Sequence, residues 1–361
     1  MNPPPRMRIA IVSSIDWRTP PRHSGIRESI AATLASGLVA RGMDVTLFAT
    51  ADSVTDAKLR AICPRPLRED KALDPAVWNL LHTAEVFSRA HDFDVIHCHT
   101  GVESLAYAEM VDTPIVLTLH ETPKARQLPI FHRFAKHATY VAVSEASRLQ
   151  GIPYKTTILP GLPLEGYRMN NSAGDYLLYV GSIAADRGLE TIIEAANTAH
   201  TPLVLGGPVE DGAYFENYIN PLAKDQRLIY LGPISSERRN EIFGRALALV
   251  HMSEKPDAFR LSMVEAMACG TPVIAMRGGS NVEIVEQRKT GYLVSNYVEL
   301  VEAISQVQFL DRRKVRQRVI DQFSQLGMVT QYLRIYEDAI VRAKEKIRQE
   351  EATLRGQTII Y

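Results

Sequence analysis

Residues 8–49, RIAIVSSIDWRTPPRHSGIRESIAATLASGLVARGMDVTLFA, hold the pattern that decides the fold. An apolar, β-branched run at Arg8–Val12 precedes a helical segment from about Ile26 to Arg41, and a second such run follows at Asp44–Ala49. Ile30, Leu34 and Leu38 recur every four residues, which places them on one buried stripe of the helix, and Gly42 stands where a left-handed cap is expected. Short apolar strand, amphipathic helix, short apolar strand is how a parallel sheet with crossover helices reads in sequence.

The alternation continues along the chain. Strands are expected at Asp94–His97, Pro114–Leu119, Tyr140–Val143 and Thr156–Leu159. From Pro160 to Gly174, PGLPLEGYRMNNSAG, the apolar period disappears, as in a linker. Strands resume at Tyr176–Val180, Leu203–Leu205, Leu228–Leu231, Leu247–Val250, Val273–Ala275 and Tyr292–Val294, and charged helices are expected from about Val298. Ser235, ahead of SERRNEIFGRA, is a candidate N-cap. The fold expected is α/β: two Rossmann-like doubly wound domains facing across a cleft. Residues 1–165 form the first and 166–325 the second, with helices in 326–361 packing back toward the first. A chain of 361 residues has room for two cores of ordinary size.

Composition narrows the function. Lys plus Arg and Asp plus Glu both number 41, so no global field favours nucleic acid or an anionic membrane, and any anion must be bound locally. With 46% hydrophobic residues, disorder is excluded. Cys63, Cys98 and Cys269 lie far apart without a C-x-x-C pair, which argues against a disulfide framework or a zinc knuckle and fits a reducing cytoplasm. The start, MNPPPRMRIAIVSS, has too short an apolar run for a signal peptide, and no apolar stretch reaches the roughly 18 residues of a membrane span.

In doubly wound sheets ligands bind beyond the strand C-termini, where helix N-termini present amides to anions. The densest motif there is KPDAFRLSMVEAMACGTPVIA, residues 255–275. Leu261, Val264 and Ala268 keep helical spacing, Gly270 stops the helix and Pro272 opens a buried strand. A helix beginning near Arg260 aims the amides of Ala258 to Leu261 at an anion, with Asp257 before it and Glu265 inside it. An isolated acidic pair at this spacing is ordinarily a solvated Asp and a helix-surface Glu.

Here the chain resembles the GT-B glycosyltransferases of the large retaining family 4, also called glycosyl transferases group 1. That family's segment reads E-P-F-G-x-x-x-x-E-A-M-A-C-G-T-P-V, and the long match from Glu265 to Val273 carries the likeness. TPPRHSGIRESIAATLASGLVARGMDVTLFAT (19–50), DFDVIHCH (92–99), PIVLTLHE (114–121) and YVAVSEAS (140–147) follow in family order. YVGSIAADRGLE (179–190), PLVLGG (202–207), LIYLGPIS (228–235) and RGGSNVEIVEQRKTGYLV (277–294) come later. The resemblance implies that Asp257 takes donor-sugar hydroxyls, that the amides near Arg260 and Leu261 approach the sugar and diphosphate, and that Glu265 takes ribose hydroxyls. A carboxylate suits a diol because it accepts two charge-assisted hydrogen bonds.

The departures from the family matter as much. Its paired glycines in the first loop are reduced to Gly25 after Ser24. Its V-G-R cation is replaced by Ser182, while Arg187 stands for the Lys before Gly and keeps the charge. Losing a well-placed cation from a dry site would cost about 2 to 4 kcal/mol of transition-state stabilisation. Arg260 stands where the family has Gly. It is read as the cation moved from position 182, as a reader of an acidic donor sugar such as a uronate, or as a side chain pointing into solvent.

His120, ending PIVLTLH, matches the family His that contacts the donor sugar. His97 and His99 share a strand face, with His91 nearby, and are expected to contact the acceptor at the cleft edge; a metal is the alternative, but no ligand spacing completes it. Glu283 in GGSNVE, after Gly278 and Gly279, is expected either to brace that loop or to contact the donor. Lys124, Arg126, Arg133 and Lys136, interleaved with Leu128, Ile130, Phe131 and Phe134, read as a solvated basic face, with docking of an anionic acceptor or peripheral contact with a membrane as the alternative.

The resemblance implies transfer of a hexosyl group from a nucleotide-diphosphate sugar to a hydroxyl acceptor, saccharide, lipid-linked or small, with retention and without metal or cofactor. Side-chain cations and helix amides hold the diphosphate, and its leaving oxygen takes the acceptor proton. The rival is a degenerate GT-B protein that binds nucleotide sugar or a partner without transfer, supported by Ser182, Asp257, Arg260 and by Pro160 in place of the Asn of the family's N-G linker. A nicotinamide oxidoreductase lacks its G-x-G-x-x-G here.

Overall fold

The computed structural model describes residues 6–23, 25–172, 174–253 and 257–357. They form two compact units. The first comprises the chain up to Val143, Arg148–Leu159 and everything from Gln325 onward; the second comprises Ser144–Ser147 and Pro160–Ser324.

In the first unit seven parallel strands form one sheet: β1 (Arg8–Val12), β2 (Asp44–Phe48), β3 (Lys58–Arg60), β4 (Val95–Cys98), β5 (Ile115–Leu119), β6 (Ala138–Ala142) and β7 (Tyr154–Thr157). Their order is β3-β2-β1-β4-β5-β6-β7, so the winding reverses at β1. Alternate residues of β1 serve opposite layers, as the pleat requires. Ile9 and Ile11 pack with Ile30, Leu34 and Leu38 of the helix Ile26–Ala40, and with Val329, Tyr332 and Tyr336 of the helix Gln325–Gln357. Ala10 and Val12 face Val86 and Phe87 of the helix Pro75–Ser88. The helices cross at Gly37, where an added Cβ would lie 2.6 Å from Val329 Cγ2.

The strand β3 was not expected. Its residues, Lys58, Leu59 and Arg60, are all exposed, so no apolar alternation announces it. It exists because its backbone pairs with β2, Thr46 opposite Lys58, and its charges suit an open sheet edge.

In the second unit six parallel strands, β8 (Tyr176–Val180), β9 (Leu203–Gly206), β10 (Ile229–Tyr230), β11 (Ala246–His251), β12 (Val273–Met276) and β13 (Gly291–Val294), take the order β10-β9-β8-β11-β12-β13. Leu177, Tyr179, Leu205, Val250 and Ile274 anchor its main core against Ile192, Ile193 and Ala196 of the helix Leu189–Thr198. The loops after β8 and β9 touch: Gly207 has φ 146°, and a Cβ there would fall 1.8 Å from the Gly181 carbonyl oxygen, so only glycine fits. Arg312, at the start of the helix Arg312–Gln322, is buried and donates to the carbonyls of Asn170 (2.9 Å), Ala246 (3.0 Å) and Gly244 (2.8 Å). Burial lowers its pKa to about 10, and it acts as a polar rivet.

Candidate functional site

In the second unit, candidate residues gather beyond the C-terminal ends of β8 and β11. The helix Leu261–Ala268 starts with Arg260 at its N-cap in extended conformation, as the spacing predicted. Arg260 does not point into solvent: it is 7% exposed, and its Nη1 lies 2.6 Å from Asp257 Oδ2. The same guanidinium makes a close contact with Nε2 of His251, the last residue of β11. Desolvation, helped by the neighbouring guanidiniums, holds His251 well below its usual pKa, so a neutral imidazole accepts there.

Arg187 follows β8. Its Nη1 lies 4.0 Å from the same Asp257 oxygen, its Nη2 3.4 Å from Glu210 Oε2 and its Nε 3.4 Å from Asp186 Oδ1. One carboxylate oxygen thus faces two guanidiniums. Ser182 lies in the same loop, where its main-chain carbonyl accepts a 2.9 Å bond from Tyr179 OH. Arg187, Asp257 and Arg260 are therefore brought together.

Glu265 belongs to a different cluster. It is 4% exposed, accepts at Oε1 from Tyr167 OH at 2.9 Å and forms a tight ion pair with Arg239 at the same oxygen. Burial and the adjacent carboxylate raise the Tyr167 phenol, so it stays a donor. Glu283 braces, but not its own glycine loop: its two oxygens accept from the amides of Glu145 and Ala146, both at 2.9 Å. That binds Ser144–Ser147 to the second unit, helped by Ser144 Oγ donating to the Ala258 carbonyl at 2.6 Å.

In the first unit Gly25 caps the helix Ile26–Ala40 with φ 142°, and its carbonyl accepts from the Ser29 amide. Ser24 lies outside the described residues. Beside Gly25, Glu28 is buried, and desolvation raises its carboxyl to about 7 against the hydrogen bond from Ser14.

His120 stands just past β5, its Nε2 2.9 Å from His99 Nδ1. Burial takes His99 down to about 3 and His120 well below its usual range, so both are neutral at pH 7. Their outer nitrogens, His99 Nε2 and His120 Nδ1, are shielded and have no hydrogen-bond partner among the described residues. His97 corrects the expectation of an acceptor contact. Its Nδ1 bonds Tyr336 OH at 2.6 Å and its Nε2 bonds Thr118 Oγ1 at 2.7 Å, which in turn meets Tyr332 OH at 2.8 Å. Both nitrogens are taken, so it is a satisfied core histidine that ligates nothing. His91 is exposed beside Asp92.

The basic stretch is not one face either. Arg133 pairs with Glu109 at 2.8 Å, and Lys136 lies by His137 and Arg342 in another hollow, while Lys124 and Arg126 stand near His120. Sequence reading missed His251, Arg239 and Tyr167. The first had a signal, a histidine ending an apolar strand run as His120 does; the other two sit in a charged helix and a linker with none.

Two doubly wound parallel sheets in one chain, with these clusters beyond the strand ends, define the GT-B class of fold. The pattern described as Glycosyl transferases group 1 matches residues 170–323, and that of Glycosyltransferase Family 4 matches residues 28–155. A D-inositol 3-phosphate glycosyltransferase of Frankia alni is 27% identical over 325 residues, covering 73% of this chain and 80% of the relative. The sucrose-phosphate synthase of Thermosynechococcus elongatus has a similar structure, with a TM-score of 0.74 at 19% identity over 92% of this chain and 99% of that one. Anabaena HepE in complex with UDP gives 0.70 at 17% identity, covering 92% and 100%. The chain belongs to the group 1, family 4 glycosyltransferases, and it is a glycosyltransferase of GT-B fold. Among the described residues no helix is long and apolar enough to cross a membrane.

Proposed function

We propose that the chain moves a hexosyl group from a nucleotide-diphosphate sugar to a hydroxyl acceptor with retention and without a metal ion. The observation that carries this is the convergence of Arg187 and Arg260 on Asp257 at the start of the helix Leu261–Ala268. Guanidiniums stay charged when desolvated, so two of them and the amide of Leu261 supply the positive charge that a departing diphosphate needs. Arg260 replaces the cation absent at Ser182. Asp257 accepts hydroxyls of the transferred sugar, and its negative charge is already balanced by its two neighbours. Glu265, held by Arg239 and Tyr167, takes the ribose. The loop at Gly25 brings backbone close to the donor.

His120 is neutral in its dry setting, so it hydrogen-bonds a sugar oxygen rather than supplying a charge. The leaving phosphate oxygen accepts the acceptor proton on the face from which it departs, so the new glycosidic bond keeps the configuration of the old one. UDP bound to HepE supports a nucleotide-sugar donor.

Thermal-shift screening against UDP, GDP, ADP and dTDP sugars, followed by transfer assays, tests this. One nucleotide should raise Tm by several degrees. Arg187→Ala should then slow transfer about a hundredfold or more, with Arg187→Lys recovering part of the loss. No shift with any nucleotide, together with neither transfer nor hydrolysis of pooled nucleotide sugars, would reject it.

A further inference from the structure

Beside His120 the first unit holds a hollow of about 210 Å³ whose walls include Arg27, Thr100, His120, Glu121, Lys124 and Arg126. Its charges do not balance. Arg27 is committed to Glu121 in a tight ion pair, whereas Lys124 and Arg126 meet no carboxylate within ion-pair distance among the described residues. The wall therefore carries an excess of two positive charges in a chain whose formal net charge is zero. Other cations of the same basic stretch are neutralised within the fold, Arg133 by Glu109 for example.

Two more polar atoms belong to residues of this wall. His120 Nδ1 and Thr100 Oγ1 are shielded from water and have no hydrogen-bond partner among the described residues. A protein interior rarely leaves such groups unmatched, and a bound ligand is one way to satisfy them.

We propose that this hollow is the acceptor subsite and that the acceptor carries a phosphate group, gripped by Lys124 and Arg126. The subsite rests on the transfer reading for its role, but its preference for an anion rests on the charges alone. A phosphate monoester brings up to two negative charges and several acceptor oxygens, which matches two cations in charge and in donor supply. A neutral acceptor would leave both cations without use. With the phosphate anchored there, a hydroxyl of the same molecule is presented near His120, whose imidazole carries no charge to repel or attract the anion. A soluble phosphate monoester and a lipid headgroup share this chemistry, and the experiment separates the two sources.

Inorganic phosphate is the probe. The full chain is titrated by calorimetry as wild type, as Lys124→Ala/Arg126→Ala and as Arg187→Ala. Both substituted side chains of the double variant are exposed, and an unchanged melting temperature confirms its fold. Wild type and Arg187→Ala should share a phosphate site that the double variant weakens by about tenfold to a hundredfold. Co-sedimentation with phosphatidylglycerol vesicles then separates the sources. Vesicle binding lost in the double variant assigns the phosphate to a lipid, and phosphate binding without vesicle binding assigns it to a soluble acceptor; each upholds the subsite. A double variant that takes phosphate as wild type does, a wild type that takes none, or binding abolished by Arg187→Ala alone overturns it. Failure of the transfer reading looks different: no turnover of any nucleotide sugar, with phosphate binding at Lys124 and Arg126 intact.

Discussion

The two units share a doubly wound topology yet bury polarity in opposite ways. The first keeps its interior neutral: His82, His97, His99 and His120 are buried, desolvation lowers the pKa of each, and Glu28 is pushed toward its protonated form. The second has one buried neutral histidine, His251, but chiefly keeps ions and pairs them, Arg260 with Asp257 and Arg239 with Glu265. A lone buried acid or imidazole can shed its charge, whereas a guanidinium cannot and must find a partner. Fixed positive charge is thus built into the second unit, and dry hydrogen-bonding groups into the first.

Acid should break this contrast most strongly. A histidine whose folded pKa lies below its unfolded value of about 6.5 stabilises the fold fully above that value and loses the contribution as pH falls toward the folded value. For His82, at about 4, the loss approaches about 3 kcal/mol, and three more buried histidines act in the same direction. Amide exchange at pH 4.5 should show the first unit losing protection before the second. Equal loss in both would mean that the histidines are not the difference.

In the second unit, removing one partner of a buried pair should be nearly as costly. Arg239→Ala leaves the Glu265 carboxylate buried without its cation, and denaturant unfolding should show about 3 to 5 kcal/mol less stability. A loss near zero would indicate that Glu265 simply takes up a proton, as the first unit's groups do.

Glu28 sharpens the comparison from the other side. Its folded pKa, raised by desolvation to about 7, lies above the model-peptide value, so its stabilising contribution is complete below about pH 4.5 and is lost as pH rises through 7. Asp16 adds to the rise, while Ser14 and Arg27 oppose it. Glu28→Gln, neutral at every pH, should melt higher than wild type at pH 8 by an amount worth up to about 3 kcal/mol, with the gap closing at pH 5. A gap independent of pH would show that the carboxyl is not titrating.

Much of the fold was legible because buried parallel strands must be apolar on both faces, and all twelve expected strands occur within a few residues of their predicted bounds. The edge strand β3 escaped because an exposed edge needs only backbone pairing. Of the site, the start of the helix after Arg260 was readable from spacing, and the burial of Arg260 was not, since it depends on His251 and Asp257 accepting the guanidinium. His97 and His99 share a strand face and read alike. They differ because Tyr336, 239 positions along the chain from His97, occupies one of them and leaves the other to His120.

The amino-acid sequence by itself determined the two α/β sheets, the family and the chemical types gathered beyond the strand ends, because hydrophobic periodicity and local caps act between near neighbours. Only the tertiary structure decided which of those groups are charged, paired or satisfied. Partnership and desolvation come from residues far apart in the chain, and at short range a few ångströms separate a buried ion pair from a neutral hydrogen bond.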